Sequence, residues 1–419
     1  MKVLIIGGGG REHAIAQKLL QEGHEVFAAP GNPGIAKSGG RLASLDIKDF
    51  KTVADFVESN GIDFTVVGPE APLAAGIVDY FNARNLPIFG PTKAAAEIET
   101  SKIFCQSLLE KVRVPVPRTS RHDNFGNMWQ VTRGTPTPFV IKYDGLAAGK
   151  GVEVVHEYKD RQLANQRLSK LADGPYVIQE FVQSPELSFF ELTDGVDFLF
   201  LGSAQDYKPL YKGGPNTGGM GGFSPHPLLT PELRQQIEET IVRPTIKAMA
   251  EFGCPYRGVM YFQLMLTKRG PVVIEINCRF GDPEAQLILP LLNCELLPLL
   301  QATTKSGFLR MFEAQFKPGV AVGIVMASEG YPDDPKTGRV ITGLDTEFSD
   351  APALVFHAGT KYNAADEIVT SGGRVLTVVG LWSEYRQAKS LAMKRVGYIH
   401  FEGEYHREDI ADEVLKVID

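Results

Sequence analysis

Lys2-Val3-Leu4-Ile5-Ile6-Gly7-Gly8-Gly9-Gly10-Arg11-Glu12-His13 decides how the first hundred residues fold. A short apolar run stops at four glycines, and Ile15, Leu19 and Leu20 then follow at helical spacing. This reads as strand, tight turn, helix. Val26–Ala29, Phe64–Val67 and Ile88-Phe89 are further apolar runs, each closed by Pro or Gly. The alternation predicts a parallel sheet with helices on its faces. Backbone N–H groups at such a turn attract phosphate, and glycine lets a ligand come close. A plain tight turn is the equal alternative. The dinucleotide pattern G-x-G-x-x-G lacks its third glycine, because Glu12 or His13 stands there. The second strand ends Ala28-Ala29-Pro30 without an acidic residue, which further disfavours NAD.

The chain has 419 residues, enough for two to four domains. Apolar residues make up 43% and charged residues 22%, an ordinary globular balance that excludes disordered, collagen and coiled-coil chains. The net charge of −7 offers no global attraction for nucleic acid or anionic lipid. No apolar run reaches bilayer length, and the N-terminal run is too short for a signal peptide. Cys105, Cys254, Cys278 and Cys294 form no C-x-x-C pair, so a disulfide framework is not expected and the cytosol is the default compartment.

Thr92 and Ser101 read as helix N-caps. Val114-Pro115-Val116-Pro117 is a candidate boundary. Strand candidates Phe139–Lys142, Glu153–Val155 and Tyr176–Gln179 fit a small hinged domain. Thr230-Pro231-Glu232 starts a helix that runs toward Gly253, with a kink expected at Pro244. Strands Met260–Leu266 and Val272–Ile276 follow. Beyond about Lys317, the runs Val320–Met326, Leu354–His357 and Arg374–Val379 suggest a separate β-rich domain.

Three later motifs carry chemistry. Lys142-Tyr143-Asp144-Gly145-Leu146-Ala147-Ala148-Gly149-Lys150-Gly151-Val152 is one residue short of a P-loop and lacks its Ser/Thr. It reads as a mobile flap over a triphosphate, with Lys142 as a point charge at a strand end. A hairpin with surface lysines is the bland reading. Gly213–Gly222 holds six glycines in ten residues, which suits successive N–H groups wrapped around an anion better than a linker. In Ile274–Glu284, strict strand alternation puts Glu275, Asn277 and Val273 on one side, with Ile274, Ile276 and Cys278 toward a core. Two oxygen ligands on one face suit magnesium. Arg279 can grip a phosphoryl group and Asp282 an ammonium. His13, His156, His226 and His357 are scattered and read as structural, and Cys278 as a buried thiol.

Together these motifs resemble the phosphoribosylamine–glycine ligase family of ATP-grasp enzymes, nearly end to end. The resemblance rests on Gly9–Ala14, Val67–Leu73, Asp144–Val152, Gly214–Gly221, Asn277–Glu284 with Gln286, and Gly330-Tyr331-Pro332. It implies an α/β and α+β multidomain fold: a parallel α/β domain at 1–100, a large ATP-grasp subdomain at 101–116 and 187–317, a flap subdomain at 117–186, and a β-rich domain at 318–419. It implies that ATP, glycine and 5-phosphoribosylamine give ADP, phosphate and glycinamide ribonucleotide, with Mg2+ or Mn2+, in a cytoplasmic monomer without nucleic-acid or membrane partners. By position, Lys102, Lys142, Gly145, Gly149, Lys150 and Gly151 would bind the ATP phosphates. Glu180, Phe181 and Val182 would read adenine, and Glu186 the ribose. Glu275 and Asn277 would hold the metal, Arg279 would meet the transferred phosphoryl group, and Asp282 the glycine amine. Gly8, Gly10, Arg11, Glu12, Asp206, Asn216, Thr217, Gly218, Gly219 and Met220 would hold the ribosylamine. Tyr207 and Pro209 depart from the family's usual His and Arg, Tyr143 from a small residue, Gln179 from Glu, and Ser184-Pro185 from a glycine turn. Tyr207 and Pro209 lie near the expected acceptor site, which keeps open a ligase with another acid or amine, or a nucleotide-binding protein without turnover.

Overall fold

Apolar runs near the N-terminus become five parallel strands, in the order Arg41–Leu42, Glu25–Pro30, Lys2–Gly7, Phe64–Val67, Ile88–Phe89. This is a computed structural model, and it describes residues 1–146, 151–171, 174–346 and 353–418, without the side chains of 416–418. Leu4 and Ile6 enter one core while Val3 and Ile5 enter another. A strand buried on both faces has no polar alternation, which is why this one reads as a continuous apolar run. Thr92 and Ser101 cap their helices as expected, accepting from the N–H of Ala95 and Phe104.

A four-stranded antiparallel sheet follows, in the order Thr119–His122, Tyr176–Glu180, Phe139–Tyr143, Val152–Val155. Two helices, Phe125–Thr132 and Asp160–Leu168, cover it, and Met128, Phe139, Ile141, Leu168 and Tyr176 form its own small core. The largest sheet has eight strands, in the order Gly270–Asn277, Gly258–Thr267, Glu186–Thr193, Phe198–Asp206, Gly221–Ser224, Val320–Ala327, Arg374–Trp382, Ala353–His357. Three of the C-terminal strands therefore continue the central sheet, while Thr360–Tyr362 and Ile368–Thr370 pair as a separate two-stranded sheet. The short strand Gly221–Ser224 stitches the three to the central sheet, although they pack a core of their own around Phe223, Val322, Val378 and Val396.

The helix after Thr230 runs toward Gly253 and is irregular next to Pro244, as expected. Pro231–Ile237 is α-helical, Glu238–Val242 is a π-helical turn, and Arg243–Glu251 resumes the α-helix. Pro244 lacks an N–H to donate, and the widened turn just before it takes up the break. Among the described residues no helix is long and apolar enough to cross a membrane. All four cysteines are free thiols.

Candidate active site

Gln263 pairs with Glu275 and Leu264 with Val273, which leaves Ile274 unpaired as a β-bulge. The extra residue resets the alternation. Val273 joins Ile276 and Cys278 in the core, so it does not share a side with Glu275, and Ile274 is only partly buried. The bulge points the Ile274 carbonyl at Lys142, whose Nζ donates to it at 3.0 Å. Asn277 Nδ2 lies 3.4 Å from Glu275 Oε1.

Three ammonium groups face Glu275. Burial alone would raise its carboxyl, but Lys208, Lys142 and Lys102 hold it down at about 2. Burial takes the Lys142 ammonium down to about 8, against the pull of Glu275. Lys208 Nζ sits 3.7 Å from Glu186 Oε1 and 3.9 Å from Glu275 Oε1. Lys102 Nζ donates to the Gly145 carbonyl at 3.2 Å, and Asp144 accepts from Ser101 Oγ and the Ile103 N–H. That contact docks the start of the flap on a helix N-terminus. Gly151 is buried and its carbonyl accepts from the Tyr143 N–H. The Tyr143 ring stands edge-on to Tyr176, with centroids 5.3 Å apart. Gly149 and Lys150, and with them the expected mobile flap, lie outside the described residues.

Glu180 is exposed, and Phe181 and Val182 are partly exposed in the connection to the strand Glu186–Thr193. The Phe181 ring meets His156 edge-on at 5.1 Å. Glu186 accepts from Gln263 Nε2.

Arg279 leaves the strand end among acids from the first domain, 3.6 Å from Glu70 and 3.3 Å from Glu99, and donates to Asn277 Oδ1 at 3.0 Å. Burial opposes its charge, but Glu99 and Glu70 hold the guanidinium firmly protonated. Asp282 accepts from Gln286 Nε2 at 2.7 Å and pairs with Arg374 at 3.2 Å. Burial raises the Asp282 carboxyl, yet Arg374 and Arg11 bring it below its usual range.

The Gly8–Glu12 turn lies at the carboxyl end of its strand and faces this cluster. A side chain at Gly8 would strike the Gly31 carbonyl and one at Gly10 would strike Gln286. Arg11 donates to the Phe280 carbonyl. Glu12 is buried, taking the Gly9 N–H at 2.6 Å and Arg11 Nε at 2.7 Å. It shapes the turn. His13 and His357 are not scattered: His13 Nδ1 accepts the His357 N–H at 2.8 Å, joining the first helix to the last sheet strands.

In the glycine-rich loop four N–H groups are engaged within the protein, Thr217 with Lys208, Gly218 with the Tyr331 hydroxyl, Gly219 with Thr217 Oγ1, and Met220 with Tyr207. Met220 is fully buried beside Val325 and Ala327, while Asn216 is exposed. Asp206 is buried under Gly219, and burial and Glu284 raise its carboxyl well above the usual range. Tyr207 points away from the site. Its ring packs on Phe223 in the C-terminal core, and its hydroxyl accepts the Ala411 N–H at 3.1 Å.

Lys208, Gln263 and Arg374 escaped sequence reasoning. Lys208 follows Asp206 by two along an extended segment, and Gln263 is one polar residue within Val-Met-Tyr-Phe-Gln-Leu-Met-Leu. Both carry an alternation signal. Arg374 carries none, because its partner Asp282 is 92 positions away.

Among the described residues no group of three His, Cys, Asp or Glu side chains could hold a metal alone. One carboxylate with neighbouring amide oxygens fits a cation that arrives with phosphate oxygens and keeps several waters.

Residues 1–99 match the N domain of phosphoribosylglycinamide synthetase, 100–285 its ATP-grasp (A) domain and 321–413 its C domain. The phosphoribosylamine–glycine ligase of Caldanaerobacter subterraneus subsp. tengcongensis is 42% identical over 98% of this chain and 99% of its own length. That of Neisseria meningitidis serogroup B is 42% identical over 99% and 100%. The crystal structure of the Thermotoga maritima phosphoribosylamine–glycine ligase superposes with a TM-score of 0.82 at 32% identity, covering 98% of this chain and all of that one. This chain belongs to the phosphoribosylglycinamide synthetase family, with an ATP-grasp domain at its centre.

Proposed function

We propose that this chain ligates glycine to 5-phosphoribosylamine at the expense of ATP, giving glycinamide ribonucleotide, ADP and phosphate. The observation that carries the reading is the convergence of Lys102, Lys142, Glu275, Arg279 and Asp282 on one strand end, facing the Gly8–Glu12 turn. A glycine carboxylate oxygen attacks the γ-phosphorus, and the bond from phosphorus to ADP breaks. The ribosylamine nitrogen then attacks the carbonyl carbon of glycyl phosphate. Phosphate departs with the C–O electron pair, and the nitrogen loses a proton. No enzyme nucleophile is needed, so positioning and charge neutralisation carry the rate.

Lys102 and Lys142 hold the ATP phosphates. Glu180, Phe181 and Val182 border adenine, and Glu186 takes the ribose. Glu275 and Asn277 hold Mg2+ or Mn2+, which when bound neutralises phosphate charge. Arg279 meets the transferred phosphoryl group and Asp282 the glycine ammonium. Asp206 and the 216–220 loop border the acceptor, with Gly8, Gly10 and Arg11 opposite. The units are 1–100, 101–116 with 187–317, 117–186, and 318–419, working as a cytoplasmic monomer. Tyr207 is turned into the C-terminal core, away from the acceptor side. Mass spectrometry of the products tests this reading. Glycinamide ribonucleotide and ADP should appear together only when ATP, glycine and fresh phosphoribosylamine are all present. ADP formation indifferent to glycine would overturn it.

A further inference from the structure

The Gly330-Tyr331-Pro332 turn belongs to the C domain, yet its tyrosine reaches the glycine-rich loop of the ATP-grasp domain. The Tyr331 hydroxyl accepts the Gly218 N–H at 2.9 Å, across 113 positions of sequence. The Gly218 carbonyl accepts from Arg374 at 2.5 Å, and the same guanidinium nitrogen donates to the Asp282 carbonyl at 2.6 Å. The peptide groups on both sides of Gly218 are therefore held by the C domain. The Tyr331 ring has its place because residue 373 is glycine, where a Cβ would strike it. The Tyr331 N–H donates to the Ser328 carbonyl at 3.2 Å, and Ser328 in turn donates to the Gly372 and Gly373 carbonyls. Tyr331 and Arg374 thus rest on one turn and act on one residue. Gly218 itself is exposed. Water can replace an exposed partner, so the bond to Tyr331 adds little to stability. What it fixes is the direction of a backbone without a side chain, just ahead of Gly219 at φ +112°.

Resting on the acceptor side proposed above, we infer that Tyr331 is a positioning residue for the phosphoribosylamine acceptor. Its hydroxyl sets the Gly218 peptide, and the loop 216–220 then borders the ribosylamine in one fixed shape. A loop held in shape before the acceptor arrives lowers the entropy lost on binding. Arg374 serves both substrates, because it also pairs with Asp282, assigned to the glycine ammonium. Tyr331 acts through Gly218, so its effect falls on the acceptor and spares glycine.

Glycinamide ribonucleotide, the amide product that fills the acceptor side, serves as the probe. Calorimetry measures its binding to the full chain, and steady-state ADP release gives KM for each substrate. Tyr331→Phe keeps the ring and removes the hydroxyl. It should weaken glycinamide ribonucleotide and raise KM for phosphoribosylamine by about fivefold each. Both kcat and KM for glycine should stay at the parent values. Tyr385→Phe is the control for general loosening, since this C-domain hydroxyl donates to the Pro225 carbonyl at 2.6 Å, away from the loop. It should leave the binding and both KM values unchanged. A folded Tyr331→Phe variant with parent-like values, or an equal loss in Tyr385→Phe, overturns the inference. Should Tyr331→Phe fail to fold, Gly373→Ala displaces the ring instead, and unchanged binding there overturns it. The parent chain separates the two levels. A parent that binds no glycinamide ribonucleotide removes the acceptor reading itself, whereas equal binding by parent and Tyr331→Phe removes only the role of Tyr331.

Discussion

The Lys142 ammonium donates to the Ile274 carbonyl at 3.0 Å, across 132 positions of sequence. The bond exists because a bulge frees that carbonyl from the ladder. It ties the small antiparallel sheet to the strand that carries Glu275 and Asn277. Lys142→Met keeps the length of the side chain and removes the charge. We expect kcat to fall by about 10² to 10³, with secondary structure and melting temperature nearly unchanged. Steady-state ADP release alongside circular dichroism checks both halves.

Arg374 reaches from the C-terminal strands to the carbonyls of Gly218 and Asp282, at 2.5 and 2.6 Å, and to the Asp282 carboxylate. It fixes the proposed glycine and acceptor elements against each other. Arg374→Gln should cost about 2 kcal/mol, roughly thirtyfold in kcat/KM for glycine and for phosphoribosylamine. ATP affinity should hold. Calorimetry with ATP, set beside the two kcat/KM values, tests the split.

Tyr207→Phe should cost about 1 kcal/mol of stability through the lost bond to the Ala411 N–H. The choice of amine should not change, because the ring lies in the C-terminal core. Thermal melts, together with product analysis over a panel of amines, check this.

Glu191 is fully buried, and neither carboxylate oxygen has a hydrogen-bond partner. Burial, with Glu238 nearby, raises its carboxyl well above the ordinary range. The folded chain keeps this proton while the unfolded chain releases it above about pH 4.3. Its contribution is therefore complete at acid pH and is lost as pH rises. Glu191→Gln removes that loss and should make the chain more stable than the parent at pH 7, with little difference at pH 4. Urea unfolding from pH 5 to pH 8 should show a shallower fall for the variant than for the parent chain.

Much of the first sheet was legible because its strands are buried on both faces and punctuated by Gly and Pro. The end of the strand Gly270–Asn277 was legible as well, since Glu275, Asn277, Arg279 and Asp282 cluster within eight residues. The bulge at Ile274 was not, because nothing in Val-Val-Ile-Glu signals an extra residue, and strict alternation then misplaced Val273. The glycine loop was legible only in part for a related reason. Composition showed an irregular backbone but not that Tyr331, Thr217, Lys208 and Tyr207 take four of its N–H groups. Arg374 and the meeting of His13 with His357 depend on tertiary contacts that no local pattern encodes.

Transfer of oxygen from glycine tests the chemistry at its centre. Glycine labelled with 18O in both carboxyl oxygens is supplied with ATP and phosphoribosylamine, and the released phosphate is weighed by mass spectrometry. Phosphorylation of the carboxylate predicts one 18O in each phosphate and one retained in the amide. Phosphate free of label, formed together with the amide, would contradict it.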